Sequence, residues 1–229
     1  MNIRPKNWPP TIVYLTQPTY SPQLTNDQRQ ALRVRPPELT TEIPSSLRRG
    51  PSSTVKILLI EDVLHPAYGQ SGLFAARPIA PGSLIVPYYG MVHPSDPPTS
   101  SQGQEEGQYE KSDYDLWLDR EANVAVDAEK AGNEARFIND YRGTGGRPNA
   151  EFKECWDERR GEKVMGVFAL PAGKGGGRKK SGGWSGGCSG GGGGSKGIKK
   201  GEEILVSYGK GFWQQRRLEN EHDKLGDIE

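Results

Sequence analysis

Cysteine is almost missing from this sequence: its 229 residues contain only Cys155 and Cys188. Two thiols, one of them inside a glycine tract, make neither a disulfide framework nor a four-ligand zinc site, and they fit a reducing compartment, the nucleus or cytoplasm. Histidine is nearly as scarce; His65, His93 and His222 stand apart without metal-ligand spacing, so no metal site is expected. There is no run of about 18 apolar residues, which argues against a membrane span. The opening MNIRPKNWPPTIVYLTQP has neither the apolar stretch nor the small-residue cleavage site of a secretory signal, so secretion is not expected. G-x-S-x-G, a P-loop and H-E-x-x-H are missing too, which removes several common hydrolase and nucleotide-binding readings.

Apolar residues make up 33% of the chain, beside 18 Pro and 31 Gly, too few and too broken for one compact domain if evenly spread. They are clustered instead. Residues 1–50 are Pro-rich and polar, and residues 172–197 are almost entirely Gly, Ser and Lys. Setting both aside leaves 153 residues, the usual size of one domain able to bury a core. Charge divides the same way. The net +1 combines +4 in residues 1–50, +5 in residues 172–197 and −8 in the rest. An acidic body with basic flanks argues against a nucleic-acid-binding core. It suits a basic partner, and equally simple solubility.

Residues 1–50 show no sustained apolar period and are expected to be mostly disordered, with a short helix near 25–34 capped at Thr25–Asn26–Asp27. From Val55 the character changes. VKILLI (55–60), GLFAARPI (72–79) and LIVPYY (84–89) read as strands of a β-meander with a turn at Pro81–Gly82. Residues 93–112 are polar and loop-like, YDLWLD (114–119) and NVAVD (123–127) form a hairpin pattern, and NEARFIND (133–140) suits a short helical segment. Strands at AEF (150–152), VMGVFAL (164–170) and EILVSYG (203–209) complete a mainly β pattern with little helix, and residues 214–229 favour a short C-terminal helix. VFALPA and GIKKGEEI read as halves of one unit, so the tract 172–197 is expected to be a flexible insertion within a domain spanning 51–213. Its Arg/Lys/Gly/Trp mix also resembles RNA-associating segments.

An ordered series of motifs stands out: SGLFA (71–75), YYG (88–90), YDLWLD (114–119), NEARFIND with RPN (133–149), and GEEILVSYGKGFW (201–213). Their order and spacing resemble the SET-domain family of protein-lysine methyltransferases over roughly residues 55–213. The last motif is the most specific. The resemblance implies a fold of short β-sheets with a C-terminal pseudo-knot, and S-adenosyl-L-methionine (AdoMet) as cofactor. It places Ser71, Gly72 and Leu73 against the cofactor, together with Arg136, Phe137, Asn139 and Asp140 of the segment that passes beneath the C-terminal strand. Tyr208 matches the active-site tyrosine, Tyr114 a tyrosine lining the lysine channel, and Phe212 with Trp213 its aromatic wall. The implied partner is a basic protein substrate, a histone-type tail or another lysine-bearing protein. Departures are visible: the Gly-x-Gly before Leu-Phe stands here as Gln70–Ser71–Gly72, Asn-His as Asn139–Asp140, and cysteine-rich flanking segments are absent.

The residue types suit the chemistry. Methyl transfer to an amine is an in-line displacement in which alignment can supply about 7–11 kcal/mol. A free lysine, with a pKa near 10.4, must become neutral to attack. Desolvation in an aromatic channel lowers that pKa, while aromatic faces attract the incoming cation by roughly 0.5–2 kcal/mol. Residues 102–134 carry ten acidic and three basic residues, a surface that would steer a basic peptide. Plainer readings stand beside these. Tyr208 also suits a core position at the end of an apolar strand, Tyr114 is one residue of an alternating strand, Phe212 and Trp213 suit hydrophobic plugs, Arg136 a structural ion pair, and Gly72 and Gly90 tight turns. The alternative function is a catalytically silent module of the same fold that binds basic peptides or scaffolds a chromatin complex.

Overall fold

In the computed structural model, which describes residues 4–95, 112–172 and 196–209, the apolar runs become short strands. The first fifty residues contribute β1 (Val13–Tyr14), β2 (Thr19–Tyr20), helix α1 (Asn26–Leu32) and β3 (Glu42–Ile43). There follow β4 (Val55–Leu59), β5 (Ser71–Ala75), β6 (Leu84–Tyr88), β7 (Met91–Pro94), β8 (Asp115–Asp119), β9 (Val124–Asp127) and β10 (Ala131–Gly132). A 3-10 turn over Glu134–Phe137 leads to β11 (Asn139–Asp140), the long pair β12 (Ala150–Asp157) and β13 (Glu162–Ala169), and finally β14 (Leu205–Val206). The fold is mainly β, with one α-helix among the described residues.

Two four-stranded sheets, ordered β3-β12-β13-β6 and β2-β7-β9-β8, are joined by the two-stranded pairs β4-β5, β1-β10 and β11-β14. Between them lies a core in which Leu73, Ala75, Val124, Val167, Ile204 and Val206 are fully buried. Full burial of one such Leu, Ile or Val stabilises by roughly 1.5–3 kcal/mol. Residues on the two sides of the glycine tract, Ala169 and Ile198, belong to this one core, and Ile198 pairs back to Ile79 through hydrogen bonds of 2.8 and 2.9 Å.

The N-terminal expectation is corrected for residues 4–50. Instead of a disordered tail they wrap the sheets: β1 runs parallel to β10, β2 to β7 and β3 to the end of β12. Leu24, Leu32 and Ile43 enter the cores, and Trp8 packs edge-on against Tyr14 and Phe137 at 5.0 and 5.6 Å between ring centres. Each contact is a two-residue strand or a single anchor, too short to leave a period in the sequence. The expected helix is present as α1. Thr25 accepts the Gln28 N–H and the Gln28 side chain accepts the Thr25 N–H, a reciprocal capping box.

Several strands differ from the reading of the sequence. The expected meander stops at the β4-β5 pair, since β6 pairs with β13 in another sheet, and the strand expected over 203–209 is limited to Leu205–Val206. Met91–Pro94, at the edge of a stretch read as loop, forms β7 and pairs with β9, burying Val92, His93 and Pro94. The strand expected over 150–152 continues to Asp157, because the polar KECWD segment is paired residue for residue with β13. The expected C-terminal helix, Phe212, Trp213 and most of the glycine tract lie outside the described residues.

Candidate active site

The site is built where two distant segments cross. β11 and β14 pair in parallel, Asn139 with Leu205 and Asp140 with Val206. Asn149 fastens the crossing: its Nδ2 donates to the Glu203 carbonyl at 2.7 Å and its Oδ1 accepts the Leu205 N–H at 2.9 Å. Two residues past β14, Tyr208 is held at both ends. Its N–H donates to Asp140 Oδ2 at 2.7 Å and its hydroxyl to the Ile138 carbonyl at 2.6 Å. The crossing thus sets a half-buried phenol that keeps its proton and donates it in a hydrogen bond to the Ile138 carbonyl. Burial first, then the neighbouring Tyr114, Asp140 and Glu203, push the Tyr208 pKa well above the ordinary phenol value, so the ring is neutral at physiological pH.

Asp140, buried, also accepts the Arg142 N–H at 2.8 Å and pairs with the Arg142 guanidinium at 3.3 Å. The carboxylate is therefore partly neutralised where it stands and serves to hold Tyr208. Asn139 Nδ2 donates to Glu203 Oε1 at 3.0 Å. The other Glu203 oxygen lies 3.1 Å from His65 Nε2, close enough to pair but poorly aligned for a hydrogen bond. Because His65 Nδ1 accepts the Ala67 N–H at 3.0 Å, the geometry assigns the ring proton to Nε2, facing the carboxylate.

Gly72, the second residue of β5, sits directly against this cluster. A Cβ there would stand 2.7 Å from Glu203 Oε1 and 3.0 Å from Phe74. The glycine is thus required by a close approach within a strand, not by a turn. Gly90 is similar, since a Cβ there would run into the Asp127 carbonyl. Beside Gly72, Ser71 is half-buried and Leu73 is fully buried, its carbonyl accepting the Ile204 N–H at 2.8 Å.

A second cluster is aromatic. The Arg136 guanidinium stacks 4.3 Å over the Tyr114 ring and 5.0 Å over Phe137. It donates to the carbonyls of Ala128 at 2.9 Å and Glu129 at 3.2 Å, so its charge is spent on backbone and rings rather than on a carboxylate. Tyr88 lies beneath, donating its hydroxyl to the Tyr114 carbonyl at 2.6 Å. The structure therefore brings Tyr114, Arg136 and Phe137 together, and separately Gly72, Asn139, Asp140 and Tyr208, with Ser71 and Leu73 flanking Gly72. Three residues of the cluster were not singled out in the sequence. Glu203 and Tyr88 lie inside the quoted GEE and YYG motifs, so the signal was present; nothing local distinguishes His65, which reaches Glu203 from the β4–β5 connection.

The SET domain model matches residues 70–172, a span that holds Ser71 through the β12–β13 pair. The matched span is similar to the SET domain, a family whose members are in general AdoMet-dependent lysine methyltransferases. Among solved structures it is similar to the Chaetomium thermophilum polycomb repressive complex 2, with 23% identity, a TM-score of 0.44 and coverage of 70% of this chain. A form of that complex in an autoinhibited conformation bound to S-adenosylmethionine gives 24% identity, 0.44 and 75%. A third, in complex with H3K27me3 and H3K27M, gives 23% identity, 0.42 and 67%. The chain covers only 16%, 17% and 14% of those chains. No curated protein matches it.

Proposed function

We propose that the chain is an AdoMet-dependent protein-lysine N-methyltransferase acting on a basic, histone-type tail. The observation that carries this reading is Tyr208 pinned by Asp140 and Ile138 at the crossing of β11 and β14, beside Gly72 and Asn139, in a chain similar to the SET domain.

The residues at the crossing fit the cofactor. The Ser71 hydroxyl and the Asn139 side-chain oxygen have no hydrogen-bond partner among the described residues. Ser71, Gly72, Leu73, Phe137, Asn139 and Asp140 would hold it, the two polar groups suiting the ammonium and hydroxyl groups of an amino-acid- and ribose-bearing ligand. When bound, AdoMet supplies an electrophilic methyl group on a sulfonium.

Tyr208 is a neutral acceptor, because burial keeps its proton on. Its oxygen orients the attacking amine and does not serve as a base at neutral pH. Tyr114, fixed from behind by Arg136 and Tyr88, offers a ring edge to the aliphatic stem of lysine. Phe212 and Trp213, which lie outside the described residues, are the candidates of the sequence motif for the aromatic wall of the channel. Desolvation in the channel and the charge of a bound sulfonium would lower the lysine pKa, so that the ammonium would release its proton to solvent before attack. The acidic stretch 102–134 steers the basic tail, so substrate affinity weakens with salt. The nucleus is the compartment that fits a histone-type substrate.

The test is transfer of tritium from methyl-labelled AdoMet to histones and to whole-lysate proteins by the intact chain, with Tyr208→Phe alongside. Labelled lysine that depends on Tyr208 supports the reading. A folded protein that labels no substrate overturns it and leaves the catalytically silent peptide-binding module.

A further inference from the structure

A cavity of about 290 Å³ opens between the N-terminal wrap and the β6 side of the first sheet. None of its lining residues belongs to the candidate active site. Its wall carries five arginines, Arg48, Arg49, Arg77, Arg159 and Arg160, against two carboxylates, Glu134 and Asp157.

The carboxylates do not neutralise the arginines. Glu134 is buried and spent on the Tyr14 hydroxyl at 3.2 Å and the Ser52 N–H at 2.8 Å. Asp157 accepts the backbone N–H groups of Arg159 and Arg160 at 2.9 and 3.1 Å. Only Arg160 is ion-paired among the described residues, to Glu162, which lies outside the lining. Arg159 is fixed by the carbonyls of Ser45 and Leu47, and Arg77 by Thr54 Oγ1 at 2.7 Å. Arg48 and Arg49 make no hydrogen bond or ion pair among the described residues. Tyr89, on the same wall, has its phenol pushed up to about 12, by burial first and by Asp157, while the charges of Arg160 and Arg49 pull it back, which locates both guanidinium groups near it.

Five cations against Glu134, Asp157 and the Glu162 that pairs with Arg160 leave an excess of two in a concave, partly desolvated site. Such an excess is satisfied by a bound anion, and guanidinium forks match phosphate and carboxylate oxygens in pairs. A dianion neutralises more of it than a carboxylate does. The volume lies at the lower end of ligand cavities, roughly 300–1,000 Å³, room for one phosphorylated group and its carrier. An extended polyanion would have to run across a body carrying −8, which excludes a nucleic-acid track. We propose that this cavity binds a phosphate monoester, gripped by Arg48 and Arg49 from the rim with Arg77 and Arg159 as fixed donors.

The test is calorimetry on the full chain with inorganic phosphate, free phosphoserine, a phosphoserine heptapeptide and its unphosphorylated counterpart. Arg48→Ala/Arg49→Ala and Arg48→Glu/Arg49→Glu are compared with wild type, with thermal unfolding as the check on folding; both side chains are exposed and make no hydrogen bond or ion pair among the described residues. At least one phosphate probe should bind saturably, weaken about tenfold in the alanine variant, and be lost on charge reversal. Equal affinity for free phosphoserine and the phosphopeptide identifies a small-molecule source, and binding of the phosphopeptide alone identifies a protein-borne one. Absence of saturable binding, equal binding of the unphosphorylated peptide, or an unchanged affinity in the alanine variant overturns the proposal.

Discussion

Substituting Gly72 by Ala tests the packing beneath the candidate site. The added Cβ would lie 2.7 Å from Glu203 Oε1, 3.0 Å from Phe74 and 3.1 Å from Ile60. Phe74 and Ile60 are parts of the packed framework, so the yielding group is the Glu203 carboxylate. It cannot swing without losing its 3.0 Å bond from Asn139. A hydrogen bond to a charged group is worth about 1.5–3 kcal/mol, and alanine is preferred to glycine in a strand by roughly 0.5–1 kcal/mol. The net is a destabilisation of about 1–2 kcal/mol, which for a chain of this size lowers Tm by about 2–8 °C. Thermal and urea unfolding of Gly72→Ala without AdoMet measure it. The same substitution on a Glu203→Ala background should cost less, because the obstructing oxygen is gone. An unchanged or raised Tm for Gly72→Ala, or an equal cost on both backgrounds, would refute the close-approach account.

Further outcomes follow from other contacts. Asp140→Ala leaves the Tyr208 N–H without its acceptor and should cost about 1–3 kcal/mol of stability together with methyl transfer, whereas Asp140→Asn, which keeps one acceptor oxygen for the Tyr208 or the Arg142 N–H and loses the other with the pairing to half-exposed Arg142, should be intermediate in both assays. His93 lies between the Pro94 carbonyl at 2.8 Å and Asp115 at 3.1 Å; burial alone would lower its pKa, but the bond to and the charge of Asp115 outweigh it and the net shift is upward. The stability it contributes is therefore full below its unfolded pKa near 6.5 and is lost as pH rises through the higher folded value, so unfolding free energy should fall across that window in wild type and stay flatter in His93→Gln. Leu32→Ala, in the wrap, should cost about 2–5 kcal/mol in urea unfolding, since Leu32 is 1% exposed; a cost near zero would mean that the wrap is not part of the folded unit.

What could be read beforehand depended on how many consecutive residues carried each signal. The strands at 55–59, 71–75, 84–88 and the 115–127 hairpin were legible because four or five adjacent residues share one burial pattern. Helix α1 was legible from Thr25, whose capping partner Gln28 stands three residues on. The wrap was not, because β1, β2 and β3 are two-residue strands whose partners lie up to 118 positions away, as Val13 with Ala131 does. The second half of β12 was hidden for another reason: Lys153 and Glu154 are exposed, and the buried residues beyond them are only Cys155 and the polar Asp157. For the site, Tyr208, Asn139 and Gly72 came from the motif order, but not the reason each is needed. That Gly72 makes room for Glu203, and that Asp140 is tamed by Arg142 while it holds Tyr208, are three-dimensional facts that a linear pattern does not carry.

The central claim is that Tyr208 orients a lysine amine for methyl transfer. Mass spectrometry of a lysate incubated with the intact chain and deuterated AdoMet tests it most directly. The account predicts deuterated methyl groups on lysine side chains within basic segments, abolished or strongly reduced by Tyr208→Phe while AdoMet still binds. Deuterated lysine found equally with Tyr208→Phe, or none found with a folded chain that binds AdoMet, would contradict it.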